Sequence, residues 1–259
     1  MNIPKSWMKN YLNVKQLNLS GQIQVEIPID VLMKNHINPV YSGSTIKILH
    51  EDDHFIVFDK PAGVHSHPLR YDESDNCLSF LRSVGKGCHL VVNQENYDRG
   101  LLFRLDYETS GVLIYCKSEK NRENLFSNRL EAVSLKRYTA IVHGDFNQPT
   151  DISIPLKPFG KKGKKMVYSV QGDVGEMKVE KLNYNPEKNI SLLKVDLKTG
   201  LRHQIRAQLS HLGHPILGDV LYGGEASDRM YLHSTLYEIN FEGIKLKVGS
   251  SPKSFLVHF

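Results

Sequence analysis

Cysteine is scarce in this chain, and Cys77, Cys88 and Cys116 show no Cys-x-x-Cys spacing. A disulfide framework and a zinc knuckle are therefore not indicated, and a reducing cytoplasm is the expected setting. Long apolar runs are also missing. No stretch approaches the ~20 apolar residues of a membrane span, and Met1 to Asn10 lacks the apolar centre of a signal peptide. There is no internal repeat and no long low-complexity tract. Nor is there an acidic excess: 33 Lys and Arg stand against 28 Asp and Glu, a net charge of +5. That mild basic balance suits a polyanionic partner and an ordinary protein surface equally. A chain of 259 residues can form one large domain, or a main domain with a small appendage.

What is present is organised mainly as strands. Ile46 to His50 and Phe55 to Phe58 flank an acidic turn, Glu51-Asp52-Asp53, and read as a hairpin delivering the chain to Lys60-Pro61. Residues 118 to 132 read as a helix capped by Ser118, with Leu125, Phe126 and Leu130 as its apolar stripe. Tyr138 to Val142, Val179 to Leu182 and Ile190 to Val195 read as strands between Pro, Gly and Asn turns. Leu201, Ile205, Leu209 and Leu212 recur at helical spacing, predicting a helix that ends before Gly213 and carries Arg202 and Arg206 on one face. The expected class is α+β, a mixed, mostly antiparallel sheet with flanking helices. Residues 1–44 read as an N-terminal extension without a clear binding module. Within it Ile23, Val25, Ile27 and Ile29 alternate like a short edge strand interrupted by Pro28. Residues 45–259 form the expected main domain.

The most informative segment is Leu101 to Ser118. Asp106 lies between Arg104 and a Thr109-Ser110-Gly111 turn, immediately ahead of the apolar run Val112 to Tyr115. A run of that length suits a strand buried on both faces. Hydroxyls that bond nearby backbone and a glycine free of Cβ constraints hold a loop rigidly, and rigid loops on buried scaffolds commonly carry catalytic groups. On these residues alone, Asp106 reads equally well as a turn cap or as a partner of Arg104.

Three further segments follow the same order: Asp59-Lys60-Pro61-Ala62-Gly63-Val64; Lys136-Arg137-Tyr138; and Thr199 to Arg206, continued by Gly213 to Asp219 and Tyr222-Gly223. Taken with Arg104-Leu105-Asp106 and Thr109-Ser110-Gly111, the chain resembles the RluA-type family of RNA pseudouridine synthases over residues 45 to 240. The resemblance implies a bisected sheet with its cleft across the middle. It also implies isomerisation of uridine in rRNA or tRNA, with no energy cofactor and no metal.

Such an isomerase breaks the ribose–uracil bond, turns the base and rejoins it through a ring carbon, so a nucleophile must hold one fragment meanwhile. By its place in the motif, Asp106 is the implied nucleophile. A uridine in a duplex is out of reach and must be flipped or presented in a loop, so the pocket needs a stacking surface. Tyr138 matches the active-site tyrosine, although taken alone an ordinary strand aromatic is the favoured reading. Arg206 matches the arginine that favours the carboxylate and holds it, with a helix-surface arginine as the alternative. Arg104 is expected to reach the RNA near the flipped base, and Leu232 to close the pocket floor. Lys60 and Arg202 complete the expected substrate contacts.

Phe103 stands where a His is common in the family, and Leu201 where an Arg is common, with Arg202 placed to supply that charge from the next position. Lys157 to Lys165 holds five lysines and no acid, and reads as a mobile loop able to grip phosphates or as a solvated loop. His203, His211 and His214 invite a metal, but no cysteine or carboxylate pattern completes a site. His65-Ser66-His67 and Pro68 read as a loop at the cleft. Two rivals stay open: an RNA-binding protein of the same fold without turnover, and a glycosidic hydrolase, which needs a second acid at controlled spacing. A cytoplasmic monomer is the default.

Overall fold

The computed structural model describes residues 12–17, 20–21, 41–68, 73–86, 100–253, 255 and 259. The alternation at Ile23 to Ile29, and Cys88, lie outside them. Ten strands form one sheet: β1 (Lys47–Glu51), β2 (Phe55–Lys60), β3 (Ser110–Cys116), β4 (Val133–His143), β5 (Asp151–Phe159), β6 (Lys165–Tyr168), β7 (Asp173–Asn185), β8 (Ile190–Leu197), β9 (Leu232–Phe241) and β10 (Ile244–Gly249). The helices are the single turn α1 (Val14–Leu17), then α2 (Cys77–Ser83), α3 (Glu119–Ser127), α4 (Arg129–Ala132) and α5 (Gln204–His211). The strand order is β1-β2-β3-β9-β4-β8-β7-β5-β6, with β10 also on β9. Every pairing is antiparallel except β3 with β9.

The sheet is divided at β9. One edge of β9 pairs with β4 along its length. The other edge is shared, with β3 taking His233 and Ser234 and β10 taking Leu236 to Phe241. Gly111 makes this splice possible. Its φ is +108°, and a Cβ there would lie 2.2 Å from the Ser234 carbonyl oxygen, so neither the conformation nor the space admits a side chain.

The apolar run predicted as a doubly covered strand is β3, buried at every residue. Leu113 and Tyr115 pack with Phe58, Leu78 and Leu81 on one face. Val112 and Ile114 pack with Val57, Tyr237 and Leu246 on the other. A second core beneath the other half of the sheet joins Ile141, Leu193 and Val195 to Ile205 and Leu209 of α5.

Three expectations need correction. The helix of residues 118 to 132 is two helices broken at Asn128, and its apolar stripe buries only Leu125; Leu130 is 78 % exposed. The helix expected from Leu201 starts at Gln204, because His203 takes a left-handed conformation. Arg202 therefore lies ahead of α5 and shares no face with Arg206. The lysine-rich segment is not a free loop, since Lys157 belongs to β5 and Lys165 to β6, and a short 3-10 turn at Lys161–Gly163 joins them. Backbone pairing with β7 and β6 overrode its charged composition.

Candidate active site

Asp106 sits on a loop whose backbone is held by the chain that leaves β2. The Gly63 amide and the Lys60 ammonium both donate to the Tyr107 carbonyl, at 2.9 and 3.1 Å. The Ser66 hydroxyl donates to the Leu105 carbonyl at 2.8 Å and accepts from the Leu105 amide at 3.1 Å. The Thr109 amide donates to the Asp106 carbonyl at 3.1 Å, so the carbonyls of three consecutive residues are satisfied. Lys60 is 0 % exposed and also donates to Pro61 and Val64 carbonyls, at 3.0 and 2.6 Å. Burial pushes its pKa down to about 8.

α5 brings Arg206 to this loop. Its Nε and Nη2 bind Asp219 at 2.7 and 2.8 Å, a bidentate pair with both side chains buried. Nη1 is left for Asp106 Oδ2 at 2.9 Å, with Glu108 at 3.4 Å. Burial disfavours the guanidinium charge, but Asp219 and Asp106 outweigh it and the Arg206 pKa is raised. On the other side His203 Nε2 lies 3.7 Å from Asp106 Oδ1.

Above the pair opens a cleft lined by Arg104, Asp106, Tyr138, His203, Arg206 and Leu232 among others. Tyr138 is registered with Ser234, and Leu232 precedes Ser234 by two residues, so Tyr138 and Leu232 point to the same face. Burial, then the charge of Asp106, raises the Tyr138 pKa, which keeps its hydroxyl protonated at neutral pH. The arrangement presents a partly exposed carboxylate to a part-apolar cleft with an aromatic wall.

The family described as RNA pseudouridylate synthase matches residues 54–211, which include Asp106, Tyr138 and Arg206. The chain belongs to this family. It is 32 % identical over 230 residues to an uncharacterized RNA pseudouridine synthase of Helicobacter pylori strain J99, covering 81 % of this chain and 75 % of that one. It is 33 % identical over 226 residues to ribosomal large subunit pseudouridine synthase D of Borreliella burgdorferi, covering 83 % and 68 %. In fold it is similar to human RNA Pseudouridylate Synthase Domain Containing 1, with a TM-score of 0.65 and 21 % identity over 82 % of this chain and 86 % of that one. The resemblance read from the motifs is borne out, as is the mostly antiparallel mixed sheet.

Of the residues expected at the pseudouridine synthase site, the structure brings Asp106, Tyr138, Arg206, Arg104 and Leu232 into one cleft. Arg104 is at its exposed rim, where Nη1 donates to His67 Nε2 at 3.3 Å. Lys60 is not brought there. Its ammonium is spent on backbone behind the loop, which corrects its reading as an RNA contact. Arg202 is also outside the cleft lining, exposed, with Nη2 donating to the Lys164 carbonyl at 2.8 Å and so fastening the basic hairpin to the start of α5.

Sequence reasoning gave no role to Glu108, or to Asp219 and Tyr222 within their motif, and it weighed His203 as a metal ligand. Asp219 had a signal, a single acid closing the apolar and glycine-rich run Gly213 to Gly218. Among the described residues, no group of three or more His, Cys, Asp or Glu is placed to hold a metal ion. No helix among them is long and apolar enough to cross a membrane.

Proposed function

We propose that this chain isomerises specific uridines of structured RNA, ribosomal or transfer RNA, to pseudouridine with Asp106 as nucleophile and with no energy cofactor. Residues 45–259 are the catalytic unit and residues 1–44 an extension of it. The observation that carries this reading is the 2.9 Å pair of Asp106 with Arg206 at the mouth of a cleft walled by Tyr138 and floored by Leu232.

The Asp106 carboxylate attacks the flipped nucleotide, at the anomeric carbon or at an electrophilic ring carbon, while the bond from ribose to ring nitrogen breaks. Arg206 fixes the carboxylate in direction, since its Nη1 donates to one of the two oxygens at 2.9 Å and leaves the other toward the cleft. Tyr138 stacks on the base, and its protonated hydroxyl is available to donate. The base turns within the cleft and its ring carbon bonds to the ribose carbon; Asp106 leaves as carboxylate, displaced from the ribose carbon in that rejoining or eliminated from the ring carbon after it, and the proton lost from the newly bonded ring carbon is balanced by one taken up at the freed ring nitrogen. Arg104 at the rim meets the RNA beside the flipped nucleotide. That a relative is named for the ribosomal large subunit favours rRNA as the first substrate to try.

The test is incubation of wild-type and Asp106→Asn protein with RNA lacking the modification, followed by carbodiimide mapping of new pseudouridines. New sites are expected with wild type only, and RNA binding by the variant is expected to stay within about threefold. Isomerisation by Asp106→Asn removes Asp106 from the role. An absence of sites with a folded, RNA-binding wild type favours the binding protein without turnover.

A further inference from the structure

His203 is the only residue of the cleft lining with a left-handed backbone, at φ 50°, ψ 22°. Holding a non-glycine residue there costs on the order of 1–3 kcal/mol, and such strain persists where the surroundings impose it for a purpose. Here it aims the imidazole between two hydroxyl-bearing and carboxylate groups. Nδ1 lies 2.9 Å from the Tyr222 hydroxyl. That hydroxyl accepts from the Met166 amide at 2.8 Å, and its single proton is available to Nδ1. With Nδ1 accepting, the neutral ring carries its proton on Nε2. Nε2 faces Asp106 Oδ1 across 3.7 Å, too far for a hydrogen bond, and among the described residues nothing else accepts from it. Arg206 already occupies the other oxygen, Oδ2.

In that tautomer the cleft holds an N–H donor with no acceptor, directly beside the Asp106 oxygen that Arg206 leaves free. Resting on the reading of Asp106 as the reacting group, we propose that His203 contacts substrate: its Nε2–H donates to an acceptor oxygen of the nucleotide engaged by Asp106, a uracil carbonyl or a ribose hydroxyl. Two supports are independent of that reading. Burial lowers the His203 pKa, so the ring is neutral at neutral pH and one of its two nitrogens is an acceptor. The anchoring tyrosine is itself fixed from β6, so the ring direction is set by the sheet and not by the loop it serves.

The experiment compares His203→Phe and His203→Gln with wild type in single-turnover isomerisation at saturating RNA, with Asp106→Asn alongside. Loss of one donor to a reacting group predicts a rate about tenfold or more lower for His203→Phe with RNA affinity within about twofold. His203→Gln, which restores an N–H near the position of Nε2, is expected to recover to within about threefold of wild type. A His203→Phe rate equal to wild type overturns the proposal, as does a folded His203→Gln as slow as His203→Phe. If Asp106→Asn is also active, the failure belongs to the assignment of Asp106; if Asp106→Asn is dead, it belongs to His203 alone. A measurement without turnover guards against variants that fail to fold. Nitrogen-labelled histidine spectra of wild type, with His203 assigned by its loss in His203→Gln, should show a proton on Nε2, and a proton on Nδ1 overturns the proposal.

Discussion

Arg206 gives Nε and Nη2 of its guanidinium to buried Asp219 and keeps Nη1 for Asp106, with Glu108 more distant on the same nitrogen. The first pair fixes the plane of the fork, and that plane decides where the remaining N–H meets Asp106. Asp219 thus positions the proposed nucleophile without touching it.

Removing Asp219 separates its two effects. Asp219→Ala leaves Arg206, only 2 % exposed, as a buried cation held through Nη1 alone by the more exposed Asp106 and Glu108, and is expected to lower stability by about 3–5 kcal/mol in urea denaturation. Asp219→Asn keeps the shape and one acceptor, so the fold should survive while single-turnover isomerisation drops by about tenfold to a hundredfold and RNA affinity stays near wild type. An Asp219→Asn enzyme with wild-type rate shows that Arg206 needs no second carboxylate to be aimed.

Lys60 offers a contrast, because a lysine in a motif of an RNA-modifying enzyme invites an RNA role that its geometry refuses. Lys60→Met takes the ammonium from the Pro61, Val64 and Tyr107 carbonyls, of which Tyr107 keeps the Gly63 amide, and should cost about 1–3 kcal/mol, with a parallel loss of turnover as the Asp106 loop loosens. A residue that contacts no phosphate leaves the salt dependence of RNA binding untouched. The slope of log affinity against log salt is therefore expected to match wild type, and a shallower slope in Lys60→Met restores the RNA contact.

These residues show what was legible in the sequence. Asp106, Tyr138 and Arg206 fall in ordered motifs of fixed local chemistry, so their convergence in one cleft could be anticipated from order alone. β3 was visible because burial on both faces demands an unbroken apolar run. Lys60, Arg202 and Asp219 were misread or passed over for one reason: their partners are backbone carbonyls and a guanidinium brought together only by tertiary packing. The start of α5 was placed too early because apolar periodicity carries no information about the left-handed turn at His203. The basic hairpin escaped as well, since strands at a sheet edge need little apolar alternation once their neighbours supply the ladder.

The splice between β3 and β9 carries a second polar device, and it makes a prediction about acid. Arg229 Nη2 donates to the Ser110 hydroxyl at 2.5 Å, and Ser110 lies 2.8 Å from His233 Nδ1. His233 Nε2 lies 3.1 Å from the Ser250 hydroxyl, which donates to Asp59 at 2.7 Å. The donors run one way, from Arg229 through Ser110, His233 and Ser250 to Asp59, provided that Nδ1 accepts and the imidazole is neutral. Burial keeps it so, pushing the His233 pKa from 6.5 down to about 4 despite the pull of Asp59. Between those values the unfolded chain binds a proton that the folded chain refuses, so stability falls as pH drops from about 6.5 to 4, by up to about 3 kcal/mol. His233→Asn should be less stable than wild type at pH 7 but lack this portion of the acid dependence, so the two stabilities converge as pH approaches 4. Urea denaturation at intervals from pH 7 to 4 measures the difference. Parallel curves for wild type and variant show that His233 titrates alike in both states, and the neutral one-way chain is then wrong.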